Sequence, residues 1–466
     1  MTAPGDRPAV DALGPSEVEI VPSGPIVGVQ AAPASKSVTN RLLLMAALAA
    51  GTSRLHDVLR SDDTAAMMAG LSALGARLTD PEEETLELTG TAGRLISPAG
   101  VIHAGLSGTT LRWLAAVAVL VRGGVTIDGE PPLRGRPIVP LLRALEALGA
   151  RVKSDGGRPP LRISSEGLRG GRITVDAAES SQFATSLLLV APYADADVDL
   201  EVLNLGAAGY VELTLEAMTR WGAGVTARPG NRYLVEAGRH YIAREEVVEY
   251  DASAAGHLFA LAMATGGSVT VPNVVETSQP DAGLVAVFED MGAVVTRDFQ
   301  SGGVTVTRPA GLTGVDVDVS RMPDQVPTLA VLGVLAVGTT TLRNVSVARG
   351  HETDRVTSII RELTKLGARI EEGDDTLVIH GGAPLRGAVV DTYDDHRMAM
   401  ALSSLAAVVP GMRIRDPGCV RKTYPRYWED AAALGLRQAD EVGPKLAATV
   451  GRESTGLDGG GVPWQT

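Results

Sequence analysis

At several points of this chain, cationic side chains stand beside hydroxyls and glycines just where a helix is about to begin. The segments are Ala34-Ser35-Lys36-Ser37-Val38-Thr39-Asn40-Arg41, Gly105-Leu106-Ser107-Gly108-Thr109-Thr110-Leu111-Arg112 and Arg134-Gly135-Arg136-Pro137. Further along come Ser180-Ser181-Gln182-Phe183, Gly350-His351-Glu352-Thr353-Asp354-Arg355 and Asp394-Asp395-His396-Arg397-Met398-Ala399-Met400. Pro323-Asp324 and Arg421-Lys422-Thr423-Tyr424-Pro425 complete the set. A helix N-terminus offers unpaired N–H groups and the positive end of the peptide dipole, and both favour anions. Guanidinium forks match carboxylates and phosphates, and carboxyl groups can move protons. Such a set suits the binding of a small anion.

Taken singly, these residues have plainer readings. Thr109 and Ser180 read as helix caps. Asp354 and Arg355 read as an exposed pair, His396 as a structural hydrogen-bonding partner, and Cys419 as an inert thiol near a strand end. Against this stands the ordering, with several cations in matching helix-start slots across both halves of the chain.

The elements that must position them repeat. A two-helix phrase recurs six times, its second helix ending on Gly75, Gly149, Gly222, Gly292, Gly367 and Gly435, roughly 70 residues apart. The first helix of each phrase is apolar almost all round, as in Leu42-Leu-Leu-Met-Ala-Ala-Leu and Leu258-Phe-Ala-Leu-Ala-Met-Ala, which predicts burial. The second is amphipathic, with Leu141, Leu142, Leu145 and Leu148 at helical spacing. Its terminal glycine suits a C-cap. A strand follows the first helix in every phrase, as in Gly51-Thr-Ser-Arg-Leu and Gly267-Ser-Val-Thr-Val. The unit is therefore β-α-β-α-β-β, and these strand runs argue against a helical solenoid.

At 466 residues the chain exceeds what one core usually serves, so two domains are expected. A net charge of −13 with 3% aromatic residues argues against nucleic acid as a partner, yet leaves room for a local cationic cluster. The single cysteine, Cys419, permits no intramolecular disulfide and points to a reducing, cytoplasmic setting. Met1 to Pro15 lacks the apolar core of a signal peptide, and no apolar stretch is long enough to span a bilayer. No Cys/His cluster has metal-ligand spacing. Residues 1–16 and 438–466, without periodic apolar pattern, are expected to be disordered.

In combination, Ser35-Lys36-Ser37…Asn40-Arg41, Glu352-Thr353-Asp354-Arg355 and Asp395-His396-Arg397-Met398-Ala399-Met400 are highly specific, and with them the chain resembles the enolpyruvyl transferase family from about Val18 to Leu436. The resemblance implies an α/β (α+β) fold, a two-domain inside-out α/β barrel with three units per domain. The chain would cross twice, near Ala32 and Tyr250, giving one domain of 17–32 plus 251–437 and another of 33–250. It implies transfer of the enolpyruvyl group of phosphoenolpyruvate to a hydroxyl with release of phosphate, and no metal or organic cofactor. The acceptor implied is the 5-hydroxyl of shikimate-3-phosphate, in aromatic amino acid biosynthesis. No membrane partner is implied, and a monomer is expected.

Carried over by motif, Lys36, Gly108, Thr109, Arg136, Gln182, Arg355, Arg397 and Lys422 would hold phosphoenolpyruvate. Ser37, Arg41, Ser180, Ser181, Gln182, Tyr210, Asp324 and His351 would surround the acceptor. Lys36, Asp324 and Glu352 are the implied catalytic residues, with Asp324 taking the proton of the attacking hydroxyl. Some positions depart from the family pattern: Leu106, Ser107, Trp113, Pro132, Ala207, Val347 and His351. Ala207 lacks a hydroxyl often found there, and Val347 replaces a frequent Asn. The rival expectation is an enolpyruvyl transferase for another phosphorylated hydroxy compound, such as a nucleotide monophosphate in secondary metabolism. The UDP-N-acetylglucosamine branch, which usually works with a loop cysteine, fits less well, since Cys419 lies in Asp416-Pro417-Gly418-Cys419. RNA 3′-phosphate cyclases share the unit but act on nucleic acid.

Overall fold

The computed structural model describes residues 16–82, 84–272, 274, 277–300 and 302–439. Most of the two predicted tails, 1–15 and 440–466, lies outside the described residues. Folded pairing reaches Gln438, which faces Ile20, just past the expected boundary at 437.

The helices are α1 (Lys36–Leu48), α2 (Asp62–Ala73), α3 (Gly108–Val117), α4 (Pro131–Arg134), α5 (Val139–Ala147), α6 (Gln182–Val190), α7 (Gly209–Arg220), α8 (Ala252–Thr265), α9 (Leu284–Asp290), α10 (Val326–Leu335), α11 (Arg355–Lys365), α12 (His396–Ala406) and α13 (Tyr427–Ala433). Six four-stranded sheets accompany them. In each, two parallel strands are followed by two antiparallel ones, as where Ile102–His103 runs parallel to Gly123–Asp128, which pairs antiparallel with Arg158–Ser165.

The predicted all-round apolar helices are the innermost elements. Every residue of α8 from Ala252 to Ala264 is buried, as is every residue of α10 from Val326 to Val334. Helices α8, α10 and α12 pack against one another, with the sheets outside them. Two cores result. One draws on residues from Val38 to Val248, the other on Val18 to Ala32 together with Ala254 to Leu436. This is the inside-out α/β barrel architecture, with helices within and sheets without.

The six repeat glycines adopt φ between +94° and +109°. A side chain is strained there, so glycine lets each amphipathic helix stop and turn into its strand.

The units are not all contiguous, which the repeat pattern alone does not reveal. Glu245–Val247 supplies the parallel edge strand for the first unit, and Val27–Val29 does so for the fourth. Glu17–Val21 lies between Arg413–Arg415 and Arg437–Gln438 and completes the last sheet. A ring of units must borrow a strand wherever it closes, because an unpaired edge leaves N–H and C=O groups without partners.

The two crossings run side by side. Ala34 bridges Tyr250 antiparallel, the Ser35 amide donates to Glu249 O at 2.8 Å, and the Asp251 amide donates to Pro33 O at 2.8 Å. Asp251 also caps two helices at once. Its Oδ1 accepts from the Ala254 amide of α8 at 2.9 Å and its Oδ2 from the Lys36 amide of α1 at 3.2 Å.

Candidate active site

Five helix starts converge on one cleft between the two cores. Lys36, Gly108, Gln182, Arg355 and His396 are the first residues of α1, α3, α6, α11 and α12, and all line it. The cleft measures about 870 Å³ with its open mouth included. Lys36, Ser37, Arg41, Gly108, Thr109, Arg136, Ser180, Ser181, Gln182, Tyr210, Asp324, His351, Glu352, Arg355 and Arg397 all face it. Lys422 does not line it but stands behind Glu352, 3.3 Å from Oε1, with its Nζ donating to Leu106 O at 3.1 Å.

Two of the expected helix starts are something else. Arg136 follows the short helix α4 and sits in the turn before α5, where Pro137 offers no N–H. Lys422 ends a 3₁₀ turn, Pro417–Lys422. Gly108 has a steric reason to be glycine. A Cβ there would lie 2.9 Å from Arg112 Nη1 and 3.2 Å from Arg136 Nη1, so its absence lets two guanidinium groups reach the start of α3.

The plain reading of Arg355 as an exposed partner of Asp354 is overturned. Arg355 is fully buried and held by three carboxylates: Asp324 Oδ1 at 2.5 Å, Glu352 Oε2 at 2.7 Å and Asp395 Oδ2 at 2.7 Å. Asp354 instead caps α11 and pairs with Arg349 at 3.2 Å. Thr109 is no cap either. Ser107 caps α3, and Thr109 Oγ1 accepts from Gln182 Nε2 at 3.1 Å, while Gln182 Oε1 accepts from Arg112 Nη1 at 2.7 Å. Ser180 does act locally, its Oγ accepting from the Gln182 amide at 3.3 Å. His396 lacks the structural hydrogen bonds expected of it. It is buried, both ring nitrogens are without a hydrogen-bond partner among the described residues, and Nδ1 stands 3.7 Å from Asp395 Oδ1.

Carboxylates are interleaved with the cations throughout. Lys36 Nζ lies 3.3 Å from Asp63, Arg397 Nη2 lies 2.7 Å from Asp324 Oδ2, and Lys422 faces Glu352. Burial would raise the Glu352 carboxyl, but Lys422 and Arg355 outweigh it and hold the group well below the usual carboxylate range. Asp324 is held low in the same way, burial being overcome by Arg397, Arg355 and His351. Burial brings Arg41 down to about 10 and Arg112 to about 9, so both stay charged at neutral pH. Burial also pushes the Cys419 thiol well up, in keeping with an inert residue.

The side of the cleft around Arg41 and Tyr210 has a distinct shape. Arg41 Nε donates to Thr214 Oγ1 at 2.9 Å and Nη2 to Tyr210 O at 2.7 Å, and its guanidinium lies 5.2 Å over the Trp113 ring. Ala207 adopts φ 50° and Val347 packs over Gly206, where a Cβ would come within 2.8 Å of Val347 Cγ2. Sequence reasoning missed Asn40 and Trp113 as lining residues, although both stand in the quoted segments or beside them. It also missed Asp63 and Asp395 as charge partners, because an Asp at a helix start reads first as a cap.

The EPSP synthase (3-phosphoshikimate 1-carboxyvinyltransferase) family model matches residues 20–431. A 3-phosphoshikimate 1-carboxyvinyltransferase of Methanoculleus marisnigri is 41% identical over 424 residues, which are 90% of this chain and 99% of that one. One from a Sulfurovum species is 40% identical over 404 residues, 85% of this chain and 94% of that protein. The solved EPSP synthase of Acinetobacter baumannii superposes with a TM-score of 0.77 at 22% identity, covering 91% of this chain and 99% of that one. With a family match spanning nearly all the described residues, the chain belongs to the EPSP synthase family.

Proposed function

We infer that the protein transfers the enolpyruvyl group of phosphoenolpyruvate to the 5-hydroxyl of shikimate-3-phosphate and releases phosphate. The observation that carries the chemistry is the cluster of Lys36, Arg136, Arg355 and Arg397 at one cleft, with Asp324 and Glu352 between them and Lys422 behind. Relatives that carry this activity in their names are matched over almost their whole length. Among the described residues no helix is long and apolar enough to cross a membrane. We place the reaction in the cytoplasm, carried out by a monomer; the lone cysteine supports the former.

In this reading the cations bind the carboxylate and phosphate of phosphoenolpyruvate, where fixed charge in a water-poor cleft acts strongly. C3 takes up a proton, C2 gains cationic character, and the acceptor hydroxyl attacks as Asp324 accepts its proton. The tetrahedral intermediate then loses phosphate. Glu352 is ionised as long as Lys422 and Arg355 face it. An incoming anion at Arg355 offsets part of that charge and shifts Glu352 toward accepting a proton. Glu352 and the Lys36 ammonium then stand as the two donors for C3.

Phosphate release with phosphoenolpyruvate tests the acceptor. Turnover with shikimate-3-phosphate and none with nucleoside monophosphates is expected. The reverse result would assign the enzyme to another acceptor. Ala207 lines the acceptor side with its methyl group, so Ala207→Ser adds a hydroxyl there. A new charge-assisted hydrogen bond to the phosphate would lower the KM for shikimate-3-phosphate by about 10- to 150-fold. A raised KM at unchanged stability would show that the phosphate binds elsewhere.

A further inference from the structure

Asp281 does not line the cleft, yet one side chain links it to the group that receives the acceptor's proton. Tyr210, at the start of α7, stands with its hydroxyl 3.1 Å from Asp281 Oδ2 and 3.5 Å from Asp324 Oδ2. A phenol has one proton to give, so it serves one of these carboxylates at a time. On Asp324, Oδ1 already accepts from Arg355 and lies 3.2 Å from His351 Nδ1, and Oδ2 faces Arg397 Nη2 at 2.7 Å. Each carboxylate oxygen has two lone pairs. The remaining place on Oδ2 is therefore contested between Tyr210 and the acceptor hydroxyl.

We propose that Asp281 is a positioning residue for the proton transfer: by drawing the Tyr210 hydroxyl to itself, it keeps the last lone pair of Asp324 Oδ2 open for the acceptor hydroxyl. The proposal rests on the reading of Asp324 as the proton acceptor. In the transfer the acceptor's O–H bond breaks as its oxygen bonds to C2 of phosphoenolpyruvate, and the proton passes to Oδ2.

The surroundings of Asp281 make this hold conditional on pH. Its carboxyl is 1% exposed, Ser253 of α8 also donates to Oδ2, and Oδ1 has no partner among the described residues. The charged groups around it are Asp324 before α10, Arg397 of α12 and Asp251 at the start of α8. Arg297, across an apolar recess that Asp281 also lines, is committed to Glu289 at 3.0 and 3.1 Å. Burial, with Asp324 adding to it, pushes Asp281 up to about 6. Above that pH the ionised carboxylate outcompetes for the tyrosine proton. Below it the neutral carboxyl accepts weakly, Tyr210 turns to Asp324, and kcat falls.

The test is kcat against pH from 5 to 8 for the wild type, Asp281→Asn and Tyr210→Phe. Both substrates carry phosphates that titrate nearby, so the readout is the difference between proteins. Asp281→Asn is expected to lower kcat at pH 7.5 by roughly 10-fold, the difference between a charged and a neutral acceptor for one hydrogen bond. Its KM for phosphoenolpyruvate is expected to stay unchanged, and the loss of kcat near pH 6 to disappear. Tyr210→Phe, which has no proton to give either carboxylate, is expected to lose the same limb of the profile. An Asp281→Asn enzyme that keeps both the wild-type kcat and the wild-type acid limb overturns the proposal. Asp324→Asn distinguishes the two levels. If it still turns over well, the premise that Asp324 is the base fails, and the inference with it. If it is inactive while Asp281→Asn behaves as wild type, the inference about Asp281 alone is wrong.

Discussion

Asp324→Asn is expected to lower kcat by about 10²- to 10⁴-fold, the range for loss of a positioned proton-transfer group, while the KM for phosphoenolpyruvate changes little. The substitution keeps the shape and an acceptor oxygen for Arg355 or Arg397 but removes the basicity. In the proposed role, the surrounding charges keep the wild-type group ready to accept a proton. Burial pushes the carboxyl up, but Arg397 and Arg355 outweigh it and hold the group low, so it is ionised when a hydroxyl arrives. Steady-state kinetics in both substrates check this. A variant that loses only affinity for the acceptor, with kcat intact, would make Asp324 a binding residue.

Arg355→Met is expected to cost about 3–5 kcal/mol of stability, because breaking buried ion pairs from one side strands the charges on the other. Here that side holds Asp324, Glu352 and Asp395, the last fully buried. Activity is expected to vanish as well, since the guanidinium proposed to bind phosphoenolpyruvate is the same one that organises the carboxylates. Arg355→Lys retains charge but one ammonium cannot fork to three partners, so it is expected to rescue stability only in part. A urea midpoint equal to wild type in Arg355→Met would contradict this account.

The fold was largely legible because its signals are local and repeated. Six glycines with positive φ, five of them in a Leu/Trp/Met-Gly-Ala phrase, mark the ends of the amphipathic helices. Helices that are apolar all round, such as Leu42 to Leu48, can only be interior. The borrowed strands were not legible, because nothing within Glu17–Val21 says that its partners lie at Arg413–Arg415 and Arg437–Gln438. The candidate site divides in the same way. The cleft-lining cations announce themselves by motif. The acids that pair with them, Asp63 and Asp395, look in sequence like ordinary caps, and Asp281 carries no signal of its own. Whether an acid caps a helix or balances a cation is decided by what the fold brings opposite it, as Asp395 shows by doing both.

The placement of Glu17–Val21 bears on the order in which the molecule can be built. Synthesis delivers residues 33–250 in one uninterrupted length, with every strand of their three sheets, so this half can finish folding while the ribosome is still working. The other half starts first and finishes last. Glu17 meets Arg415 across a sequence separation of 398 residues, and Ile20 waits for Gln438. Until those residues emerge, its first strand is an open edge able to pair with a neighbouring nascent chain. Folding late and all at once, this half is the one most in need of protection during translation.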